Sequence, residues 1–277
     1  MPTSPFRASA AITQNWQHFD FSVSDGIATV TLDRPDKLNP LTFDSYADLR
    51  DLLHELPYRG DTTVLVIRGQ GKAFCAGGDV NEIIGELIKM DAHDLMAFTK
   101  MTGDVIRAMR ECPIPIISGI QGIAAGAGSV VALASDFRVV SHSARFAFLF
   151  TKVGLSGGDM GAAYLLPRIV GAGRATQLLM LGDTIDAATA DRYGLVSELV
   201  ADEELDGAVN ALARRLAEGP TLAYAQTKSL ITRELDMPIG AAMELDAMTQ
   251  ALLMTTHDHS EFHAAFNAKR KPQWTGR

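Results

Sequence analysis

The spacing of hydrophobic and polar positions predicts a pair of strands early in the chain. In HFDFSVSDGIATVTLDRP, Val30 and Leu32 alternate with threonines, so one face of the second strand is expected to be buried. The sequence Ser24-Asp25-Gly26 between the two strands is typical of a hairpin turn that contains glycine. We therefore expect a β-hairpin at the start of the folded region.

Helical spacing follows this hairpin and then alternates with short strands. The apolar residues of TFDSYADLRDLLHEL recur at the period of an α-helix, and Thr42 is a plausible N-cap. TVLVIRG is a β-branched strand that ends at Gly69, and PIIS, a glycine turn, GSVVALAS and FRVVS continue the pattern. Strands that alternate with helices indicate an α/β protein whose sheet is covered by helices.

The pattern changes after Gly171, where nearly every segment has helical spacing and LVSELV is one brief strand. We predict an N-terminal arm over residues 1–18, an α/β core over residues 19–200 and a helical region over residues 201–277. Helices this short and numerous need surfaces to cover, and a neighbouring subunit could supply them.

Composition narrows the class of protein. The 277 residues are 47% hydrophobic and 21% charged, which is ordinary for a globular protein with a real core. The net charge of -8 argues against general nucleic-acid binding, which needs a basic face. Cys75 and Cys112 form no disulfide framework or metal cluster and are expected to be buried in a reducing compartment, so we expect a cytoplasmic protein with no metal site.

An uncharged stretch over residues 113–135 is long enough to span a bilayer, but prolines and glycines interrupt it. We predict a buried strand, a glycine turn and a buried helix here, and no membrane partner. The opening residues contain no continuous apolar core and are not expected to be a secretory signal.

Three stretches carry the candidate chemistry. GKAFCAGGDV and GIQGIAAGAGSVV are glycine turns that follow strands, and AFLFTKVGLSGGDMGAAYLLPR contains a single acid, Asp159. Either glycine turn alone is explained by positive φ or close packing, and neither matches a phosphate-binding P-loop. Asp159 is either the N-cap of a helix or a carboxylate held in a dry pocket for proton transfer.

Together and in this order, these stretches resemble the crotonase (enoyl-CoA hydratase/isomerase) superfamily. VTLDRPDKLNPLT, KAFCAGGD and IPIISGIQGIAAGAGSVVALASDFRV are similar to its early motifs, and the resemblance runs from about Phe19 to the end. It implies a spiral of ββα units with a helical C-terminal trimerisation region, assembled as a homotrimer or homohexamer. It also implies an acyl-CoA thioester as substrate, with coenzyme A part of that substrate and no separate cofactor.

The resemblance implies that the N–H groups of Gly78 and Ala127 hold the thioester oxygen while an enolate forms. A backbone donor needs a turn that aims it, and the second donor gains from a helix N-terminus. Ala127 falls where the family more often has glycine, so an added methyl group and a narrower backbone range are expected there.

The resemblance also implies how coenzyme A would bind. The carbonyl of Ala76 would accept from the adenine amino group, and Lys269, Arg270 and Lys271 would face the phosphates, within the chain or across a subunit boundary. The alternative for these cations is a solvated tail, although the proline and tryptophan that follow suggest a tail that docks. Asp79, which we include in the substrate site, is expected to fix the first glycine turn.

Val130 and Phe150 occupy the positions where hydratases of the family carry two glutamates, and neither can move a proton. Ordinary two-glutamate hydration is therefore not expected. Both residues, with Phe148, are candidates to line the acyl pocket, where aromatics would favour a bulky acyl group, although core packing explains the phenylalanines equally well.

Asp159 falls where certain isomerases, ring-expanding isomerases and a dehalogenase of the family carry a working aspartate. A helix N-terminus would lower its pKa, whereas apolar neighbours would raise it. We favour an isomerase in which this acid removes a proton and returns it at another carbon. Hydration by water that Asp159 activates, thioester hydrolysis and a non-catalytic acyl-CoA-binding subunit are the alternatives.

Overall fold

The computed structural model describes residue 13 and residues 15–276, and the remaining residues of the predicted arm lie outside this part. The strands are β1 (Asp20–Ser24), β2 (Ile27–Leu32), β3 (Val64–Gly69), β4 (Ile116–Ile120), β5 (Ile123–Ala125), β6 (Phe137–Ser141), β7 (Arg145–Ala147), β8 (Thr184–Asp186) and β9 (Glu198–Val200). The helices are α1 (Phe43–Arg59), α2 (Gly85–Leu87), α3 (Ala92–Glu111), α4 (Ala127–Ala134), α5 (Ala162–Val170), α6 (Ala172–Leu181), α7 (Ala187–Arg192), α8 (Leu205–Ala217), α9 (Thr221–Glu234), α10 (Ile239–Met254) and α11 (His257–Asn267).

The hairpin and the first helix form as the sequence predicts. Strands β1 and β2 pair antiparallel, and Asp25 and Gly26 between them both have positive φ, as a two-residue hairpin turn requires. Helix α1 begins after Thr42, whose side chain accepts from the N–H of Ser45. The apolar face of α1 is thereby fixed against the sheet.

Six strands form one sheet in the order β1-β2-β3-β4-β6-β9, and all neighbours except β1 and β2 run parallel. Alternate residues of the central strands face opposite sides. Leu65 and Ile67 belong to the larger core with α1 and α3, whereas Val64 and Val66 pack in a second cluster with Val209 of α8. Because both faces are covered, β3 is apolar almost throughout rather than alternating.

A second, smaller sheet was not predicted from the sequence. It contains β5, β7 and β8 in the order β5-β7-β8, and each strand has three residues. Strands this short show no measurable period, so only their pairing in space reveals them. This sheet brings the chain at Ala125 beside the chain at Ala147.

The uncharged stretch over residues 113–135 folds as β4, β5 and α4, which confirms the predicted strand, glycine turn and buried helix. In the described part of the chain, no helix combines the length and apolar character needed to cross a membrane.

The C-terminal helices leave much apolar surface exposed. Ile239 is 79% exposed, Leu252 is 70% exposed and Phe266 is 71% exposed. Within α10, Thr249 is the one buried residue. An apolar helix that the chain itself leaves uncovered agrees with the expectation that another surface covers it.

Candidate active site

An isolated β-bridge between Gly78 and Leu41, which lies just before α1, fixes the orientation of the first glycine turn. The N–H of Leu41 donates to the carbonyl of Gly77 at 2.7 Å, and the N–H of Asp79 donates to the carbonyl of Leu41 at 2.8 Å. Because successive peptide groups of extended chain point in opposite directions, the N–H of Gly78 faces away from Leu41. Gly78 also borders the cavity described below.

Asp79 anchors the same turn from the other side. Its carboxylate accepts from the N–H groups of Asn81 and Glu82 at 3.0 and 3.1 Å and lies 3.0 Å from the Arg34 guanidinium. The Glu82 N–H is the largest cause that holds the pKa of Asp79 below its usual range. The carboxylate therefore fixes the segment that follows the glycine turn, and it does not line the cavity.

The second turn starts helix α4. Gly126 has φ 49° and ψ -120°, a conformation that L side chains rarely adopt, and its N–H donates to the carbonyl of Ala147 at 2.8 Å. Ala127 is the first residue of α4 and does not have positive φ. The expected backbone restriction from alanine is therefore absent, since Gly126 takes the unusual conformation instead.

Glycines allow the two turns to touch. A Cβ at Gly77 would lie 3.0 Å from the carbonyl oxygen of Ala125 and 3.6 Å from the nitrogen of Ala127. A Cβ at Gly128 would lie 2.3 Å from the carbonyl oxygen of Cys75, closer than real contacts allow. The second turn can therefore approach the first only because these positions have no side chain.

Two main-chain donors remain available where the turns meet. Within the described residues, neither the Gly78 N–H nor the Ala127 N–H donates to another backbone carbonyl outside the regular helices and strands. The Ala127 N–H lies at the N-terminus of α4, where the first N–H groups of a helix have no partner in that helix. Such a pair of N–H groups suits an oxygen that gains negative charge.

Both turns border one cavity of about 180 Å³, which we call the Asp159 cavity. Ala76, Gly78 and Ala127 lie in its wall, and Tyr46, Thr102 and Asp159 supply the polar side chains of its lining. The apolar part of the wall is formed by Val80, Ile83, Ile84, Leu87, Phe98, Leu149, Phe150, Val153, Leu155 and Met160. The structure thus brings the three predicted catalytic residues to one apolar cavity.

Asp159 is half-buried at the start of a short 3₁₀ turn before α5. The N–H of Met160 donates to its Oδ1 at 2.9 Å. Burial raises the pKa of this carboxyl, and the Met160 N–H opposes that shift. Helix α5 has Gly161 as its N-cap with no side-chain hydrogen bond, so the alternative that Asp159 merely caps the helix is wrong.

Met160 is itself unusual, because it has φ 52° without being glycine. A side chain in this left-handed region carries backbone strain of about 1–3 kcal/mol, which the surrounding packing must hold in place. Met160 is buried and lines the cavity beside Asp159. The strained residue thus directs the N–H that binds the carboxylate.

Two of the predicted pocket residues lie elsewhere. Phe148 and Val130 are fully buried in the larger core and do not line the Asp159 cavity, whereas Phe150 does. The chain leaves β7 at Ala147 and enters a 3₁₀ helix at Leu149, so Phe148 and Phe150 no longer share a face as they would in a strand. The prediction that Phe148 and Val130 line the pocket is therefore wrong.

The basic tail is docked but does not line the Asp159 cavity. Arg270 forms two hydrogen bonds with Glu261, at 2.5 and 2.9 Å, and this ion pair holds the pKa of Glu261 at about 2. The Thr275 N–H donates to Asp258 at 2.7 Å, which confirms a docked tail. The other two cations of the predicted phosphate site, Lys269 and Lys271, are exposed.

A larger cavity of about 600 Å³ lies between the sheet and the helices α5, α8 and α9. Two of its cations bind structural partners. Lys228 lies 2.7 Å from Asp136 and donates to the carbonyl of Ile114 at 2.9 Å, and Arg138 donates to the carbonyl of Leu195 at 2.6 Å. The candidate chemistry therefore belongs to the Asp159 cavity, where donors and an acid meet.

Tyr46 and Thr102 are polar groups of the cavity that the sequence did not single out. In the sequence, Tyr46 falls within the apolar pattern of α1, and its side chain is 3% exposed. The available signal was its residue type, because a buried tyrosine usually needs a partner for its hydroxyl.

The main sheet is largely parallel and flanked by helices, and two touching glycine turns meet at a cavity that holds an acid. Solved structures with the same fold are crotonase-type enoyl-CoA hydratases. The family model described as enoyl-CoA hydratase/isomerase matches residues 22–277, and the chain belongs to this family.

Similar proteins agree with this assignment. A crystal structure of a candidate enoyl-CoA hydratase from Streptomyces coelicolor A3(2) has a TM-score of 0.97 and 63% identity, and the match covers 99% of this chain and 100% of that one. The 1,2-epoxyphenylacetyl-CoA isomerase of Escherichia coli is 34% identical over 92% of this chain and 97% of its own. A candidate enoyl-CoA hydratase of Rhodobacter capsulatus is 35% identical over 93% of this chain and 97% of its own.

Proposed function

We propose that this enzyme moves a proton within an acyl-CoA thioester, with Asp159 as the base and the N–H groups of Gly78 and Ala127 as donors to the thioester oxygen. The observation that carries the proposal is that all three residues border the same cavity. The wall of this cavity is mostly apolar, so few other polar groups compete with these donors for a developing charge.

The proposed reaction is a double-bond shift. Asp159 takes a proton from a carbon of an enoyl-CoA, and the electron pair moves through the conjugated carbons to the thioester oxygen. The two N–H groups stabilise the resulting enolate. Asp159 then returns a proton to a different carbon, so the substrate and product have the same composition. The protonated carboxyl exchanges its hydrogen with solvent before some of these transfers, so deuterium from heavy water enters the product.

One carboxylate suffices for this sequence, since the group that takes the proton also returns it. A site with one carboxylate supports an isomerase more than a two-glutamate hydratase. By the family resemblance, Val130 and Phe150 occupy the positions of the two glutamates, and Val130 is fully buried in the core. The 34% identity to the Escherichia coli isomerase points in the same direction.

Hydration through water that Asp159 activates is the second candidate. The relative from Rhodobacter capsulatus, described as a candidate hydratase, favours it. So does the carboxylate itself, because the Met160 N–H is the single hydrogen bond that affects its pKa among the described residues, which leaves acceptor capacity for a water.

The proposal is tested by incubating the purified protein with a panel of enoyl-CoA esters in heavy water. An isomerase incorporates solvent deuterium and moves the double bond, whereas a hydratase adds the mass of heavy water. Release of free coenzyme A would instead indicate thioester hydrolysis. Binding of the esters with none of these changes would contradict catalysis and support a non-catalytic acyl-CoA-binding subunit.

A further inference from the structure

The hydroxyl of Tyr46 lies close to the first glycine turn, and Tyr46 and Asp159 line the same cavity. A Cβ at Gly78 would lie 3.7 Å from this hydroxyl oxygen, so the phenol is next to one of the two proposed main-chain donors. It also lies close enough to Asp159 for the charge of that carboxylate to raise its pKa. The phenol is therefore adjacent to both parts of the proposed machinery.

The ring is held firmly. Tyr46 is the fourth residue of α1, and the side chain of Thr42 fixes the start of this helix. Its ring packs edge-on against Phe98 of α3, with 6.1 Å between the ring centroids. The residue is 3% exposed. A group this constrained can present its hydroxyl at one place without ordering cost when a substrate binds.

In the described part of the chain, the Tyr46 hydroxyl forms no hydrogen bond with another protein group. Burial is the main cause that raises its pKa, followed by the charges of Cys75 and Asp159, and no hydrogen bond contributes. The hydroxyl oxygen keeps some exposure to the Asp159 cavity, so a bound ligand can reach it. The phenol stays protonated at neutral pH, and it can donate.

We propose that the Tyr46 hydroxyl is a third donor to the thioester oxygen, alongside the N–H groups of Gly78 and Ala127. This inference rests on the proposed function and names a further residue in it. A neutral phenol in an apolar cavity donates well to an oxygen that becomes negatively charged, because water does not compete for it. In the substrate-bound enzyme the hydroxyl would then gain the partner that it lacks.

The test compares the wild-type enzyme with Tyr46→Phe, which removes the hydroxyl oxygen and keeps the ring. Tyr58→Phe is the matched control, because Tyr58 lies on the same helix and is 57% exposed. The Tyr46 hydroxyl has no partner to lose, so the free energy of unfolding should not fall in either variant. Unfolding in urea checks this point.

The probe is acetoacetyl-CoA, whose acidic C2 carbon lets the bound thioester form an enolate that absorbs in the near ultraviolet without turnover. We expect the enolate-forming equilibrium of the bound probe to fall about 10- to 100-fold in Tyr46→Phe, as for loss of a hydrogen bond to a charged group. The affinity for free coenzyme A should stay unchanged, and Tyr58→Phe should match the wild type.

The outcomes separate this inference from the proposed function. An equal enolate equilibrium in wild type and Tyr46→Phe overturns the role of the hydroxyl and leaves the main-chain donors in place. If the wild-type enzyme binds the probe without promoting its enolate, or does not bind it, the proposed function fails and the role of Tyr46 fails with it.

Discussion

At the residue scale, the state of Asp159 is set by two opposing neighbours. Burial in an apolar wall disfavours the carboxylate, whereas the N–H of Met160 stabilises it, and the net effect raises the pKa. The N–H that opposes the shift belongs to a residue with strained backbone. The carboxylate therefore remains ionisable, yet it holds a proton more readily than an aspartate in water, which suits a group that must both take and return one.

This pKa predicts a pH dependence. A base must be deprotonated, so kcat/KM falls as the pH drops through the pKa of Asp159 in the free enzyme. Because that pKa is raised, the fall should begin at a higher pH than for an aspartate in water. Initial rates of deuterium incorporation across the acidic range check this, and a rate that rises as the pH drops would contradict it.

At the element scale, the start of α4 is the critical piece of structure. It places the Ala127 N–H against the first glycine turn, and this contact depends on the missing side chain of Gly128. The helix is buried along its whole length, so it cannot shift without disturbing the core around it.

We therefore expect Gly128→Ala to push α4 away from the carbonyl of Cys75. The added methyl should lower the free energy of unfolding by about 1–3 kcal/mol. Because it also displaces the Ala127 N–H, the rate of deuterium incorporation should fall by about 100-fold. The control is Gly103→Ala in α3, where a Cβ meets no atom within 4 Å. If urea unfolding shows that Gly128→Ala and Gly103→Ala change the free energy of unfolding equally, then the missing side chain of Gly128 is not what lets the two turns touch.

Regular elements could be predicted from the sequence because they carry a period or a cap. A period or a cap marks the hairpin around Asp25, helix α1 after Thr42 and the C-terminal helices. The structure contains all of these elements. The three-residue strands of the smaller sheet lack any period. The turn that buries Phe148 also lacks a period, so the position of this side chain depends on contacts with residues distant in sequence.

The site was predictable only in part. Glycine and the single acid marked the turns, and family motifs named Gly78, Ala127 and Asp159, which the structure brings to one cavity. The role of Gly126 in taking the positive φ required the actual backbone. The hydroxyl of Tyr46 was hidden within a helical apolar pattern, because periodicity records which face is buried and not what a polar tip meets.

At the scale of the whole molecule, α10 exposes an apolar face that the chain itself does not cover. We propose a homotrimer or homohexamer, as the family resemblance implies, with the C-terminal helices at the interface. Lys269 and Lys271 do not line the Asp159 cavity of their own chain. We further propose that they meet the phosphates of coenzyme A bound at a neighbouring subunit.

Light scattering on the eluting protein tests this assembly. We expect a mass of three or six chains of 29.8 kDa each. The double substitution Met248→Glu with Leu252→Glu, at positions 60% and 70% exposed on α10, should dissociate it because charges would be buried at the interface. Tyr58→Glu on α1 is the control and should leave the mass unchanged. A wild-type mass of one chain would contradict the proposal.

The central claim is that Asp159 moves the proton while the two turns hold the thioester, and Asp159→Asn tests it most directly. Asparagine keeps the size of the side chain but cannot act as the base, so we predict loss of deuterium incorporation from heavy water with unchanged affinity for coenzyme A and unchanged unfolding. Asp191→Asn, at an exposed position on α7, should retain full activity. Deuterium incorporation by Asp159→Asn at the wild-type rate would contradict the account.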